Sequence, residues 1–263
     1  MYAFAYERPA SLADVVAKIA AGGQALAGGQ TLIATLKQRL AQPESLVDLA
    51  GVNELSGIRT EGNTLVIGAM TKHETVAESA EVKTTIPALA SLAVQIGDRQ
   101  VRAMGTMGGS VANNDPAACY PSAVLALGAT VQTNRRKIAA DDFFQGMYTT
   151  ALEPGELITA IHFPVPQKAA YAKFRQPASR FALVGVFVAQ TANGVRVAIT
   201  GAGNGVFRHA GLEAALSKSF TPETVENVVI DASELNADLH ASAAFRAQLI
   251  KVQTQKAVQQ ANG

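Results

Sequence analysis

Two short stretches carry residue types that could hold a phosphorylated ligand. The first is Ala27-Gly28-Gly29-Gln30-Thr31, followed by Leu32. The second is Thr106-Met107-Gly108-Gly109-Ser110, which runs on into Asn113, Asn114, Asp115 and Pro116. Glycine lets the backbone approach a ligand closely and reach positive φ. A helix start beyond such a turn offers unpaired N–H groups and a partial positive charge, which suit a phosphate. Gln30, Thr31 and the asparagines add side-chain hydrogen bonds. Taken alone, the first stretch reads more simply as an ordinary strand–helix turn.

Other chemistries fit less well. Neither stretch has the G-x-x-x-x-G-K-S/T spacing of a P-loop or the G-x-G-x-x-G of a dinucleotide fold. Gly201-Ala202-Gly203-Asn204-Gly205 approaches the latter, but Val206 stands where the last glycine belongs. Gly108-Gly109-Ser110-Val111-Ala112 approaches a nucleophile elbow, so a serine hydrolase using Ser110 is a remote alternative. An elbow follows a buried apolar strand, whereas "GDRQVRAMGT" is polar. Cys119 is the single cysteine, which excludes an internal disulfide and a protein-held iron–sulfur cluster. Its neighbours Ala117, Ala118 and Tyr120 supply no electropositive setting, so it reads as a small buried hydrophobe. His73, His162, His209 and His240 are scattered without metal-ligand spacing. Arg135-Arg136-Lys137 reads as a solvated hairpin face.

The composition bounds the rest. Of 263 residues, 48% are apolar and 16% charged, enough for a sizeable core. A net charge of +1 gives no broad footprint for nucleic acid. No apolar run approaches the roughly 18–20 residues that span a bilayer. "MYAFAYERPASLADVV" lacks a basic region followed by an apolar one, so no secretory signal is read. A soluble cytoplasmic protein is the expectation, and redox chemistry would need a borrowed cofactor.

The elements that must position the two stretches follow from periodicity and punctuation. Ser11 to Ala20 is an amphipathic helix with Leu12, Val15, Val16 and Ile19 on one face. "QALA", the first glycine stretch, "LIATLKQRL" and "SLVDLA" form a β–turn–α–β unit. "GIRTEGNTLVIGA" is a hairpin turning at Glu61-Gly62-Asn63. Thr71-x-x-Glu74 predicts a capping box, and Pro87 a helix start. A helix runs from Pro121 to Leu127, "ATVQT" and "RRKIA" form a second hairpin, and "LITAIHFPVP" is a strand closed by prolines. Pro164 to Lys168 is the predicted boundary. Beyond it, "YAKF", "FALVGVFVAQ" and "VRVAIT" predict three strands, and a long helix runs from about Ser242 to Gln260. The fold class is α+β in two parts.

Together the stretches are more specific than either alone. "LAGGQTLIATLKQRL", then "VRAMGTMGGSVANNDPAACYPSAVLALGA", resembles the FAD-binding medium subunit of molybdenum hydroxylases, the carbon monoxide dehydrogenase and xanthine dehydrogenase family. The similarity is nearest to carbon monoxide dehydrogenase-like medium chains. "GAMTKHETVA", "FFQGMYTTALEPGELI" and "KFRQPASRFALVGVFVA" extend it over most of the chain. The resemblance implies a vanillyl-alcohol oxidase-type (PCMH-type) FAD-binding fold. It implies an FAD-binding region over residues 1–166, in subdomains of about 1–55 and 56–166, and a flavin-covering domain over 167–263 with a three-stranded antiparallel sheet plus helices. Ala27 to Leu32 and Thr106 to Ser110 would wrap the FAD pyrophosphate and ribityl chain, with Asn113, Asn114 and Asp115 near the ribityl hydroxyls. Phe181 would lie beside the isoalloxazine. Many relatives carry aspartate where this chain has Cys119, which removes one polar contact.

The same resemblance implies a division of labour. A large molybdopterin-binding subunit oxidises substrate, and a small subunit carries two [2Fe–2S] clusters. This chain would pass electrons from those clusters through FAD to an external acceptor, within a dimer of heterotrimers, and no catalytic acid or base is assigned to it. A self-sufficient flavin oxidase or reductase of related fold is the alternative.

Overall fold

The computed structural model describes residues 1–263. The chain opens with a three-stranded parallel sheet in which β1 (Ala5–Glu7) and β2 (Gln24–Leu26) flank β3 (Ser45–Asp48). Helix α1 (Leu12–Ala20) connects β1 to β2. Ser11 caps it by accepting from Asp14 N, and Val15 joins Val47 and Leu49 in a small core. α2 (Leu32–Lys37) ends sooner than "LIATLKQRL" predicts, with Arg39 in left-handed backbone at φ 60°. β1 went unread because "AYE" is short and has no apolar alternation.

A five-stranded antiparallel sheet follows. β4 (Ile58–Glu61) and β5 (Thr64–Gly68) form the predicted hairpin, with Gly62 at φ 59°. Six helices come next: α3 (His73–Glu78), α4 (Ala80–Thr85), α5 (Pro87–Val94), α6 (Arg99–Met104), α7 (Met107–Asn113) and α8 (Tyr120–Ala126). The chain returns through β6 (Thr130–Thr133), β7 (Lys137–Ala139), α9 (Ala140–Phe143) and a small hairpin, β8 (Phe144–Gly146) with β9 (Thr149–Thr150). β10 (Ile158–Pro164) then inserts between β5 and β6 at the sheet centre. That central place explains its apolar sequence: Ile158, Ile161 and Phe163 are all buried.

Two expectations fail here. The Thr71-x-x-Glu74 capping box does not form. Lys72 is the N-cap of α3 and makes no side-chain cap, while Thr71 Oγ1 donates to Gly57 O and accepts from Gly57 N. Tethering the end of the first hairpin outcompetes capping. Nor is Thr106–Ser110 a turn. It is the N-cap and first turn of α7.

The third sheet has four strands, not three. β11 (Lys168–Arg175), β12 (Ala182–Thr191) and β13 (Gly194–Thr200) are those predicted, and β14 (Phe207–Arg208) pairs with β13. A two-residue edge strand leaves no periodic signal. Both sheet faces are covered, so β12 is apolar without alternation. Val184, Val186 and Val188 pack with Ile250 and Val258 of α11 (Ala243–Ala261), beside Leu212 and Leu216 of α10 (Ala210–Lys218). Tyr171, Phe187 and Ala189 join Leu89 of α5 and Val124 of α8 in the largest core. Arg196 fastens β13 to the preceding region, donating from Nη2 to Leu125 O at 2.7 Å and to Asp141 Oδ1 at 2.6 Å.

Candidate functional site

The two glycine stretches touch. A Cβ on Gly28 would land on the Met104 carbonyl and within 2.7 Å of Gly105 Cα, and one on Gly109 would lie 3.3 Å from Ala27 Cβ. Only glycine at position 28 lets β2 and its turn close on the α6–α7 junction. Gly29 is left-handed, at φ 70°.

Their amides differ sharply. The N–H groups of Gly28, Gly29, Gln30 and Thr31 donate to no acceptor in the chain. Four consecutive unpaired donors in a partly buried loop are an excess that a ligand can satisfy. In the second stretch the donors are spent internally. Met107 N donates to Thr71 O at 3.0 Å, Gly108 N to Ala69 O at 2.8 Å, Gly109 N to Thr106 Oγ1 at 3.2 Å and Ser110 N to Thr106 O at 3.0 Å. Gly108 is a packing glycine, since a Cβ there would meet Ala69 backbone at 2.8 Å. The expectation that both stretches offer free amides is thus corrected for the second. What α7 leaves open is the Ser110 hydroxyl and the Asn113 amide, three residues apart on one helix face and without partners in the chain. No histidine bonds Ser110, so the hydrolase arrangement is not assembled.

Asn114 and Asp115 are engaged within the protein. Asn114 is fully buried and left-handed at φ 43°, the C-cap of α7. Its Nδ2 donates to Gly146 O and Thr149 O, both at 2.8 Å, while Oδ1 is buried without a partner. Asp115 Oδ1 accepts from Ala117 N at 2.8 Å, and Oδ2 from the Tyr148 hydroxyl at 3.2 Å. Phe181 is half-exposed in the turn between β11 and β12, next to Ala182, whose N–H points at Ala117 O.

Two features escaped the sequence. Lys173 Nζ lies 3.3 Å from Cys119 Sγ and donates to Gln95 O at 2.9 Å. The thiol therefore does sit beside a cation, brought in from β11 by the fold. His73 is the second. It is 4% exposed beneath Gly105, where a Cβ would stand 2.6 Å from its Nε2, and its ring lies 5.2 Å from that of Tyr120. Burial first, and the Arg102 charge second, lower its pKa to about 4. Unfolded histidine titrates near 6.5. Between that value and about 4 the unfolded chain binds a proton that the folded chain refuses. The stability supplied by neutral His73 is therefore complete above pH 6.5 and falls as the pH drops toward 4, by about 2–3 kcal/mol. His73→Phe should flatten that loss, seen as urea midpoints at pH 7 and pH 4.5 that differ less than in the wild type. An unchanged difference would assign the acid lability elsewhere.

Two surface cavities, of about 450 and 490 Å³, lie away from the glycine stretches, one among α3, α5 and α6 and the other among α5, β11 and α11. The candidate site is defined by its unpaired donors.

A β–glycine-turn–α unit with free amides, closed against a second glycine stretch, has the donors to hold a phosphorylated ligand. Residues 2–166 match the family described as the FAD binding domain in molybdopterin dehydrogenase, and the chain belongs to that family. It is an FAD-binding oxidoreductase subunit of the molybdenum hydroxylase medium-chain type. The carbon monoxide dehydrogenase medium chain of Afipia carboxidovorans is 42% identical over 201 residues, 73% of this chain and 70% of that one. The glyceraldehyde dehydrogenase medium chain of Sulfolobus acidocaldarius is 34% identical across 97% of this chain and 96% of its own. The reconstituted CO dehydrogenase from Oligotropha carboxidovorans has a chain that superposes with a TM-score of 0.91 at 33% identity, covering 99% of this chain and 98% of that one. No helix is long and apolar enough to cross a membrane.

Proposed function

We propose that this chain holds FAD as the electron-transferring medium subunit of a molybdenum hydroxylase. The unpaired amides of Gly28 to Thr31 carry the reading: they match the oxygens of a pyrophosphate and have no other acceptor. Ala27 and Leu32 bracket that run. Thr106, Met107, Gly108 and Gly109 form the wall against which it closes, and Ser110 and Asn113 offer side chains to the ribityl hydroxyls. Asn114 and Asp115 support the same end through the β8–β9 hairpin, and Phe181 borders the ring. When bound, FAD supplies one- and two-electron redox chemistry, while the protein orients it and sets its surroundings. No proton-transfer residue is required of this chain.

The reading divides the chain at 166/167, with subdomains of about 1–55 and 56–166 before a covering domain of 167–263. The second sheet falls within 56–166 and the third begins at Lys168. It places the chain in the cytoplasm with a large molybdopterin-binding subunit and a small subunit bearing two [2Fe–2S] clusters, as a dimer of heterotrimers. The substrate is set in the large subunit, since the names of the relatives span carbon monoxide and glyceraldehyde. Purification from the native host tests all of this. The expected result is flavin and iron–sulfur absorption on a complex of three chain types. A flavin-bearing single chain that turns over substrate alone would replace this reading with an independent oxidase. A colourless preparation would remove flavin altogether.

A further inference from the structure

We infer that Tyr148 is a ring-facing residue of the flavin site, held in place by Asp115. The inference rests on the FAD reading above. Tyr148 occupies left-handed backbone at φ 54°, a conformation that is strained for a bulky residue and is kept where surroundings enforce it. The surroundings are all on the second stretch. Asn114 Nδ2 pins Gly146 O and Thr149 O on either side of the hairpin tip, Tyr148 N donates to Asn114 O at 3.2 Å, and the Tyr148 hydroxyl donates to Asp115 Oδ2. Yet the side chain so carefully fixed is 58% exposed. Packing does not explain a strained, tethered and uncovered aromatic ring.

Its position supplies the explanation. α7 advances about 1.5 Å per residue, so Asn113 stands about 6 Å beyond Gly109, in the direction a ribityl chain would take from a pyrophosphate at Gly28 to Thr31. Asp115 and Ala117 in the next segment each bond to a part of the chain that carries an exposed aromatic ring. Tyr148 is bonded to Asp115, and Phe181 precedes the residue bonded to Ala117. The two rings do not stack on each other. A planar heteroaromatic group is the ligand class that two such rings accept. Desolvation and the neighbouring Asp115 carboxylate keep the Tyr148 hydroxyl protonated, so it remains a donor.

The test uses the assembled complex carrying Tyr148→Ala, Tyr148→Phe or Met147→Ala. Met147 shares the exposed hairpin tip and controls for loosening of the hairpin. FAD is removed and titrated back, and sulfite is added to measure how fast the visible flavin band bleaches, a reading of how open the ring face is. Tyr148→Ala should weaken FAD about tenfold, the scale of one aromatic stack, and bleach faster. Tyr148→Phe should fall between, and Met147→Ala should match wild type. If Tyr148→Ala fails to assemble, faster bleaching in Tyr148→Phe decides the matter. Equal FAD affinity and bleaching in the Tyr148 variants and wild type overturns the inference and leaves FAD binding intact. Equal losses in Met147→Ala overturn it too, as a hairpin effect. A wild-type complex without FAD removes the inference together with its premise.

Discussion

Gly109→Val is expected to give a folded chain that binds FAD about a hundredfold more weakly, the equivalent of about one or two charge-assisted hydrogen bonds. The reason is local. A Cβ at Gly109 would meet Thr106 Oγ1 at 2.9 Å and Ala27 Cβ at 3.3 Å, one a side-chain hydroxyl and the other the wall of the first stretch. Threonine can turn away at the loss of one N-cap bond, so the helix survives. The branched methyls of valine then push on Ala27 and displace the four free amides beyond it. Gly108→Ala is the instructive contrast. Its Cβ would press on Ala69 at 2.5 Å, with the Ala69 backbone at 2.8 Å, and neither can swing aside. That variant should lose stability first and flavin only as a consequence. Equilibrium unfolding and FAD titration on both variants separate the cases. Gly109→Val with wild-type affinity would detach the second stretch from the site, and Gly108→Ala with wild-type stability would contradict the close packing of α7 on β5.

That contrast also shows what could be read from residues alone. Both stretches were legible because each is a local run of glycines and hydrogen-bonding residues, and the two together are more specific than either alone. Their division of labour was not. Thr71 and Ala69 accept the amides of Met107 and Gly108, and both come from a segment more than thirty residues earlier. The same distance effect explains Lys173 beside Cys119 and Asp115 beside Tyr148, pairs that no spacing rule connects. Elements with strong periodicity or punctuation were legible: Ser242 caps α11 by accepting from Phe245 N, and Pro87 opens α5. α6 was passed over because "RQVRAM" is short and polar, and β14 because two residues have no period. The overturned capping box is a case of tertiary contact overriding a local pattern, since one hydroxyl can serve Gly57 or the helix but not both.

Arg246→Ala is expected to have the largest effect on stability, about 3–5 kcal/mol, although it lies far along the chain from either glycine stretch. Arg246 is 3% exposed on α11. Its Nη1 donates to Leu183 O and Gly201 O, both at 2.8 Å, and Nη2 donates to Asp238 Oδ2 at 2.7 Å. Asp238 is half-exposed, so the ion pair itself contributes little. The main cost is two buried carbonyls left without a donor, with a cavity where the guanidinium stood. Lysine should recover little, because one ammonium cannot span three acceptors that a planar fork reaches together. The effect should also travel. Leu183 and Gly201 belong to the ends of β12 and β13, and Gly201 N donates to Pro116 O at 2.7 Å, while Thr200 Oγ1 reaches Pro116 O and Ala118 O. Loosening those ends frees the Asp115–Ala118 run from behind. Arg246→Ala should therefore lower the thermal midpoint by roughly 10 °C and weaken FAD at temperatures where the chain is still folded. A lowered midpoint with unchanged FAD affinity would mean that the third sheet stabilises the chain without positioning the site.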